Sequence, residues 1–145
     1  SKMKMDQEAI KKVIPHRDPM LLVTTVEDLT PGEAITATFY VDPAREIFKG
    51  HFPGEPVLPG VYSVECIAQT ADILLLSTKR YAGKIPLFLG INGVQFQKKS
   101  LPGDIIEIRA RLASERAETT TATCSAEIYN SGELAAMGDV TLAMR

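Results

Sequence analysis

Gly60-Val61-Tyr62-Ser63-Val64-Glu65-Cys66-Ile67-Ala68-Gln69-Thr70-Ala71-Asp72-Ile73-Leu74-Leu75-Leu76-Ser77-Thr78-Lys79 is the stretch whose reading decides the fold. After its first residue it contains no glycine or proline, and its composition is helical. Val61, Val64, Ala68, Ala71 and Leu75 place apolar side chains around most of its circumference. A helix that is apolar nearly all round belongs inside a core. About 18 residues give it a length of roughly 27 Å.

Both flanks read as strands. Ile35, Ala37, Phe39 and Val41 alternate with Thr36, Thr38 and Tyr40, the period of a half-buried strand. Ile106, Ile108, Ala110 and Leu112 alternate with Glu107, Arg109 and Arg111. Ala122, Cys124, Ala126 and Ile128 alternate with Thr121, Thr123, Ser125 and Glu127. Asn130-Ser131-Gly132 predicts a hairpin turn, and Val140, Leu142 and Met144 continue on a last strand. Pro86 to Phe96 predicts a further strand, its Gly90 and Gly93 marking bulges or close contacts. Upstream, Asp6 to Ile14 reads as a short helix capped by Asp6 and stopped by Pro15. Leu21 to Val26 reads as a strand, followed by a turn at Pro31-Gly32. One long buried helix among antiparallel strands makes the fold class α+β, with the sheet wrapped around the helix. No repeat, linker or low-complexity segment interrupts the chain, so a single domain over residues 1–145 is expected.

Composition narrows the function. The chain has 145 residues, 45% apolar and 23% charged, which fits a folded protein rather than a disordered one. Sixteen basic against 18 acidic residues leave a net charge of −2, so no global field favours nucleic acid or an anionic membrane. Cys66 and Cys124 stand far apart with no CxxC, which supports neither a disulfide framework nor a zinc ribbon. A reduced, cytosolic setting is the expectation. No apolar run approaches the roughly 18 residues of a membrane span. Ser1-Lys2-Met3-Lys4-Met5 has no apolar stretch behind it and does not read as a signal peptide; Ser1 reads as a cloning remnant.

The chemistry-bearing residues concentrate at the start of the long helix. Glu65, Gln69 and Asp72, at i, i+4 and i+7, form one narrow polar stripe. Asp72 lies toward the far end, where it is expected to reach solvent. Glu65 lies one turn from the N-terminus. A desolvated carboxyl there is expected to keep its proton near neutral pH, as a general acid must. By itself the stripe is equally the wet edge of a helix. The preceding ten residues, His51-Phe52-Pro53-Gly54-Glu55-Pro56-Val57-Leu58-Pro59-Gly60, carry three prolines and two glycines and so follow a fixed path. That path begins at a histidine, a candidate base, and ends at a helix N-terminus. There the N–H groups of Gly60 and Val61 suit a carbonyl oxygen gaining negative charge.

Other constellations carry less. His16-Arg17 reads as a structural segment, with anion binding as the alternative. His16, His51 and Glu65 lack metal-ligand spacing. Cys66 lies mid-helix without a base nearby in sequence. GxSxG and Walker-type glycine loops are absent from the sequence. No metal or cofactor is expected. Lys79-Arg80 and Lys98-Lys99 are solvated charges or a small basic patch for an acidic partner.

Gly50-His51-Phe52-Pro53, Pro56-Val57-Leu58-Pro59-Gly60-Val61, Glu65 and Ala68-Gln69 together resemble the signature of the FabZ-type (3R)-hydroxyacyl-acyl carrier protein dehydratases of bacterial fatty-acid synthesis, which have the hot-dog fold. Ile14-Pro15-His16-Arg17-Asp18-Pro19-Met20-Leu21-Leu22-Val23 and Phe96 to Asp104, with Pro102-Gly103-Asp104, extend the likeness over most of the chain. The sister FabA-type branch, which also isomerises, has Asp where this chain has Glu65. The resemblance implies dehydration with His51 as base, Glu65 as acid, Gly60 and Val61 at the oxyanion, and Gln69 orienting Glu65 or a water. It also implies an acyl carrier protein with its phosphopantetheine-linked acyl chain as partner. Two protomers would share each site, His51 from one and Glu65 from the other, in a homodimer and then a trimer of dimers.

This chain departs from the family pattern at Asp18, Met20 and Thr24, where an aromatic, Phe and Asp are usual. Lys99-Ser100 replaces Arg-Pro, and Tyr62, Ser63 and Cys66 stand where Leu, Ile or Ala are commoner. These departures bear on acyl preference. Leu74, Leu75, Leu87, Leu89, Ile91 and Phe96 are candidates for an acyl tunnel wall, or ordinary core. A hot-dog acyl thioesterase and a non-catalytic carrier-binding subunit are the rival functions.

Overall fold

Period-two alternation becomes one curved antiparallel sheet. A computed structural model describes residues 3–145; the reading of Ser1 falls, with Lys2, outside the described residues. The strands are β1 (Thr25–Thr30), β2 (Ala34–Tyr40), β3 (Pro86–Phe96), β4 (Ile105–Arg116), β5 (Thr121–Asn130) and β6 (Glu133–Met144), and they lie in the order β1-β2-β4-β5-β6-β3. Ala37 pairs with Ile108, Ile108 with Ile128, and Ile128 with Ala136, so one apolar row crosses four strands. The row is buried along its length.

Helix α2 (Gly60–Leu76) lies against that row, touching β2, β4, β5 and β6. From Cys66 to Leu76 every residue is buried, as its all-round apolar pattern requires. Leu74 and Leu75 are core rather than tunnel wall. Each fully buried leucine or isoleucine contributes about 1.5–3 kcal/mol. The helix ends at Leu76, short of Lys79, with Thr78 Oγ1 donating to the Leu75 carbonyl at 2.6 Å. The hairpin turn forms as expected, with Ser131 and Gly132 both at positive φ. No helix among the described residues is long and apolar enough to cross a membrane.

Two expectations need correction. The N-terminal helix α1 (Gln7–Ile10) is one turn long; Asp6 accepts from the Ala9 N–H at 2.9 Å, but the chain then continues as turns. The strand read over Leu21 to Val26 begins only at Thr25. Leu21, Leu22 and Val23 are buried without a ladder partner, because the Leu22 and Val23 N–H groups donate to Gln69 Oε1 at 2.9 and 3.4 Å. The strand read over Pro86 to Phe96 is β3. It forms with the expected bulges, but it is an edge strand bonded only to β6. Leu87, Leu89 and Phe96 are therefore about half exposed in the single chain.

Candidate active site

The loop ahead of α2 is tied down at both ends. The His51 N–H donates to Ile47 O at 3.0 Å, and the Val57 N–H to His51 O at 3.1 Å. Phe52 and Glu55 exchange N–H···O bonds of 3.1 and 2.9 Å around Gly54, whose φ of +78° glycine adopts without strain. The Leu58 N–H reaches Ser100 O at 2.9 Å. His51 stacks on Phe52, with ring centroids 4.0 Å apart, and its Nδ1 lies 2.9 Å from Val57 O. A carbonyl oxygen only accepts, so Nδ1 carries the hydrogen. In the neutral imidazole Nε2 is then left as a bare lone pair, the form a base needs.

Gly60 opens α2 behind Pro59, with no side chain capping the helix. Its N–H and that of Val61 lie in the first turn, ahead of any intrahelical acceptor. A Cβ at Gly60 would stand 3.1 Å from Phe96 Cζ, so glycine is what lets that ring lie on the helix start. A cavity of 430 Å³ opens there, bordered by Leu58, Gly60, Ser63, Phe96, Lys98 and Lys99 among others.

Glu65 faces a different hollow. Pro19, Met20, Leu22, Val61 and Tyr62 line it with Glu65, and its volume is 230 Å³. His51 is not among its lining residues. Tyr62 also borders a third cleft, toward Asp18 and Arg45.

Below Glu65 the polar stripe turns inward. Gln69 is 0% exposed and Asp72 3%, so the stripe is not a wet edge and Asp72 does not reach solvent. The Gln69 amide is fully used. Oε1 holds the Leu22 and Val23 N–H groups, while Nε2 donates to Met20 O at 2.6 Å and to Glu65 Oε2 at 2.7 Å. One side chain thus pins the 20–23 segment to the helix and fixes one Glu65 oxygen.

His16, read above as structural, also meets the stripe. Its Nε2 lies 3.7 Å from Glu65 Oε2 and 3.8 Å from Asp72 Oδ2. Burial lowers its proton affinity below the ordinary value, with the Glu65 charge opposing and Arg17 assisting. Asp72 moves the other way: burial first, then the Glu65 charge, holds it well above the usual carboxylate range. The only advance signal for this meeting was two acids seven apart on one helix face. Burial pushes both thiols up, Cys124 to about 12, so Cys66 has no nucleophilic character at neutral pH. Among the described residues no group of three or more His, Cys, Asp and Glu side chains is arranged to hold a metal ion.

A long helix wrapped by an antiparallel sheet, entered through a His-Phe-Pro loop, defines the class as a hot-dog-fold protein. The dehydratase heterocomplex ApeI:P of Xenorhabdus doucetiae shares the fold, with a TM-score of 0.78 over 94% of this chain and 90% of that one at 18% identity. A hypothetical thioesterase of Streptococcus pneumoniae, solved with coenzyme A, superposes with a TM-score of 0.62 at 15% identity, over 83% of this chain and 84% of that one. The ApeI-like family, described as ApeI dehydratase, matches residues 27–133. The 3-hydroxyacyl-[acyl-carrier-protein] dehydratase FabZ of Ligilactobacillus salivarius is 46% identical over 112 residues, covering 77% of this chain and 80% of the relative. That of Polynucleobacter asymbioticus is 42% identical over 141 residues, covering 97% and 93%. The chain belongs to the FabZ-type dehydratase family.

Proposed function

We propose that the chain removes water from 3-hydroxyacyl thioesters carried on acyl carrier protein, giving the trans-2-enoyl thioester of fatty-acid synthesis. His51 Nε2 takes the C2 proton. The Gly60 and Val61 N–H groups hold the thioester oxygen as it gains enolate charge. Glu65 gives its proton to the C3 hydroxyl as the C–O bond breaks, and water leaves. Gln69 fixes the Glu65 carboxyl for that transfer. Lys98 and Lys99, which line the 430 Å³ cavity, suit the phosphate of the carrier's prosthetic arm or the acidic carrier surface.

The observation that carries this reading is the order of two elements along the chain. A pinned loop leaves one imidazole nitrogen free, and the glycine-started helix that follows presents a single carboxyl to a cavity.

Each chain, as one hot-dog domain over residues 1–145, would supply half of each of two sites. Two facts support that division: His51 does not border the Glu65 cavity, and β3 leaves an apolar edge uncovered. Three such dimers would make a hexamer, which sedimentation measures.

The test is turnover of 3-hydroxyacyl carrier, followed by absorbance of the conjugated enoyl product. Folded His51→Ala and Glu65→Gln variants are expected to lose at least about 100-fold in rate. Near-normal rates in either would overturn the assignment. Release of free thiol in place of enoyl absorbance marks a thioesterase, and carrier binding without turnover marks a non-catalytic subunit.

A further inference from the structure

Behind Glu65 lie two polar side chains that the proposed reaction leaves without a task. Asp72 is on α2 two turns further on, and His16 comes from the segment ahead of β1. The His16 Nε2 stands between the carboxyls, 3.7 Å from Glu65 Oε2 and 3.8 Å from Asp72 Oδ2. The other polar atoms of the pair, His16 Nδ1 and Asp72 Oδ1, are buried without hydrogen-bond partners. Among the described residues no lysine or arginine lies within ion-pair distance of Asp72. A lone carboxylate at this depth is costly, so Asp72 keeps a proton that a solvated acid would lose. The titratable and charged groups facing the pair are Glu65 on α2, Arg17 beside His16, and Cys124 on β5.

We propose that Asp72 and His16 form a buried proton store for Glu65, with His16 Nε2 as the crossing point between the two carboxyls. The inference rests on the reading of Glu65 as the acid of dehydration. Once Glu65 has protonated the departing hydroxyl it is a carboxylate. The Asp72 O–H proton then passes to His16 Nε2, and the Nε2–H proton passes to Glu65 Oε2. His16 keeps its Nδ1 hydrogen throughout. The net change is one proton from Asp72 to Glu65, with no other bond altered, and the bare Asp72 carboxylate is a transient, its burial cost driving the return of a proton. Both gaps exceed hydrogen-bond length, so each step needs an approach to about 3.2 Å or less. The side chain of His16 is 19% exposed, and through it the store refills from solvent. Asp72 is a positioning residue in this scheme, since it touches Glu65 only through His16.

The test uses Asp72→Asn, a near-isosteric change that cannot hold the proton. At saturating substrate and low buffer its kcat is expected to fall about tenfold, with KM unchanged. Rising concentrations of imidazole buffer should restore kcat, while the wild-type rate stays independent of buffer. His16→Gln should show the same loss and the same rescue, and it decides the matter if Asp72→Asn does not fold. Folded variants with wild-type kcat overturn the proposal. So does a loss that buffer does not restore or that appears in KM, because that is the signature of a purely structural role. Glu65→Gln, assayed in parallel, separates the two readings. Its inactivity beside an unchanged Asp72→Asn sinks the store alone, whereas its activity sinks the dehydration scheme and the store with it.

Discussion

Gln69 holds four hydrogen-bond partners through one buried amide. Replacing it with leucine fills similar volume but leaves the Leu22 and Val23 N–H groups and the Met20 carbonyl without their partner. Buried groups left unpaired cost about 1–3 kcal/mol each, so Gln69→Leu is expected to lower stability by several kcal/mol. Denaturant unfolding measures this. Freed from Nε2, the Glu65 carboxyl would also wander, and kcat should fall with it. A Gln69→Leu variant with wild-type denaturation midpoint would mean that the 20–23 segment is held by its apolar packing instead.

At the scale of the helix, stability and pH are linked through two groups of opposite sign. Asp72 has a folded-state pKa above its unfolded value near 3.8. Its stabilising effect is therefore complete below that pH and is lost as pH rises through the folded value. His16 has a folded-state pKa below its unfolded value of 6.5, so stability falls as pH drops beneath 6.5 toward the folded value. Asp72→Asn removes only the first dependence. Its melting temperature should exceed that of wild type at neutral pH and approach it as pH falls to about 4. Melting curves across pH check this, and a gap that does not change with pH would contradict a protonated Asp72. A helix that carries such a cost in its core fits a site whose function outweighs local stability.

At the scale of the whole molecule, assembly depends on β3 and on where the two catalytic candidates lie. If two chains share each site, mixing His51→Ala with Glu65→Gln chains under exchanging conditions restores one intact site in every mixed dimer. About a quarter of wild-type activity should return in an equal mixture. No recovery, with exchange shown independently, would place both residues in one chain's site. Leu89→Lys on the uncovered edge should likewise give monomers by sedimentation and lose turnover, because a charge in an apolar interface is hard to compensate.

The division between sequence and tertiary structure follows the range of the forces involved. Alternation along β2, β4, β5 and β6, and the all-round apolarity of α2, are local patterns, and each had a single way to bury itself. The His-Phe-Pro loop was legible for the same reason, since proline and glycine restrict the backbone wherever they stand. The meeting of His16 with Glu65 and Asp72 was not legible, and neither was the use of Gln69 Oε1 in place of a strand partner for Leu22 and Val23. Those contacts join residues some fifty positions apart, and only the packed chain sets their distances. The exposure of β3 belongs with them: a strand reads alike at an edge or in the middle of a sheet, because what decides is the neighbour it lacks.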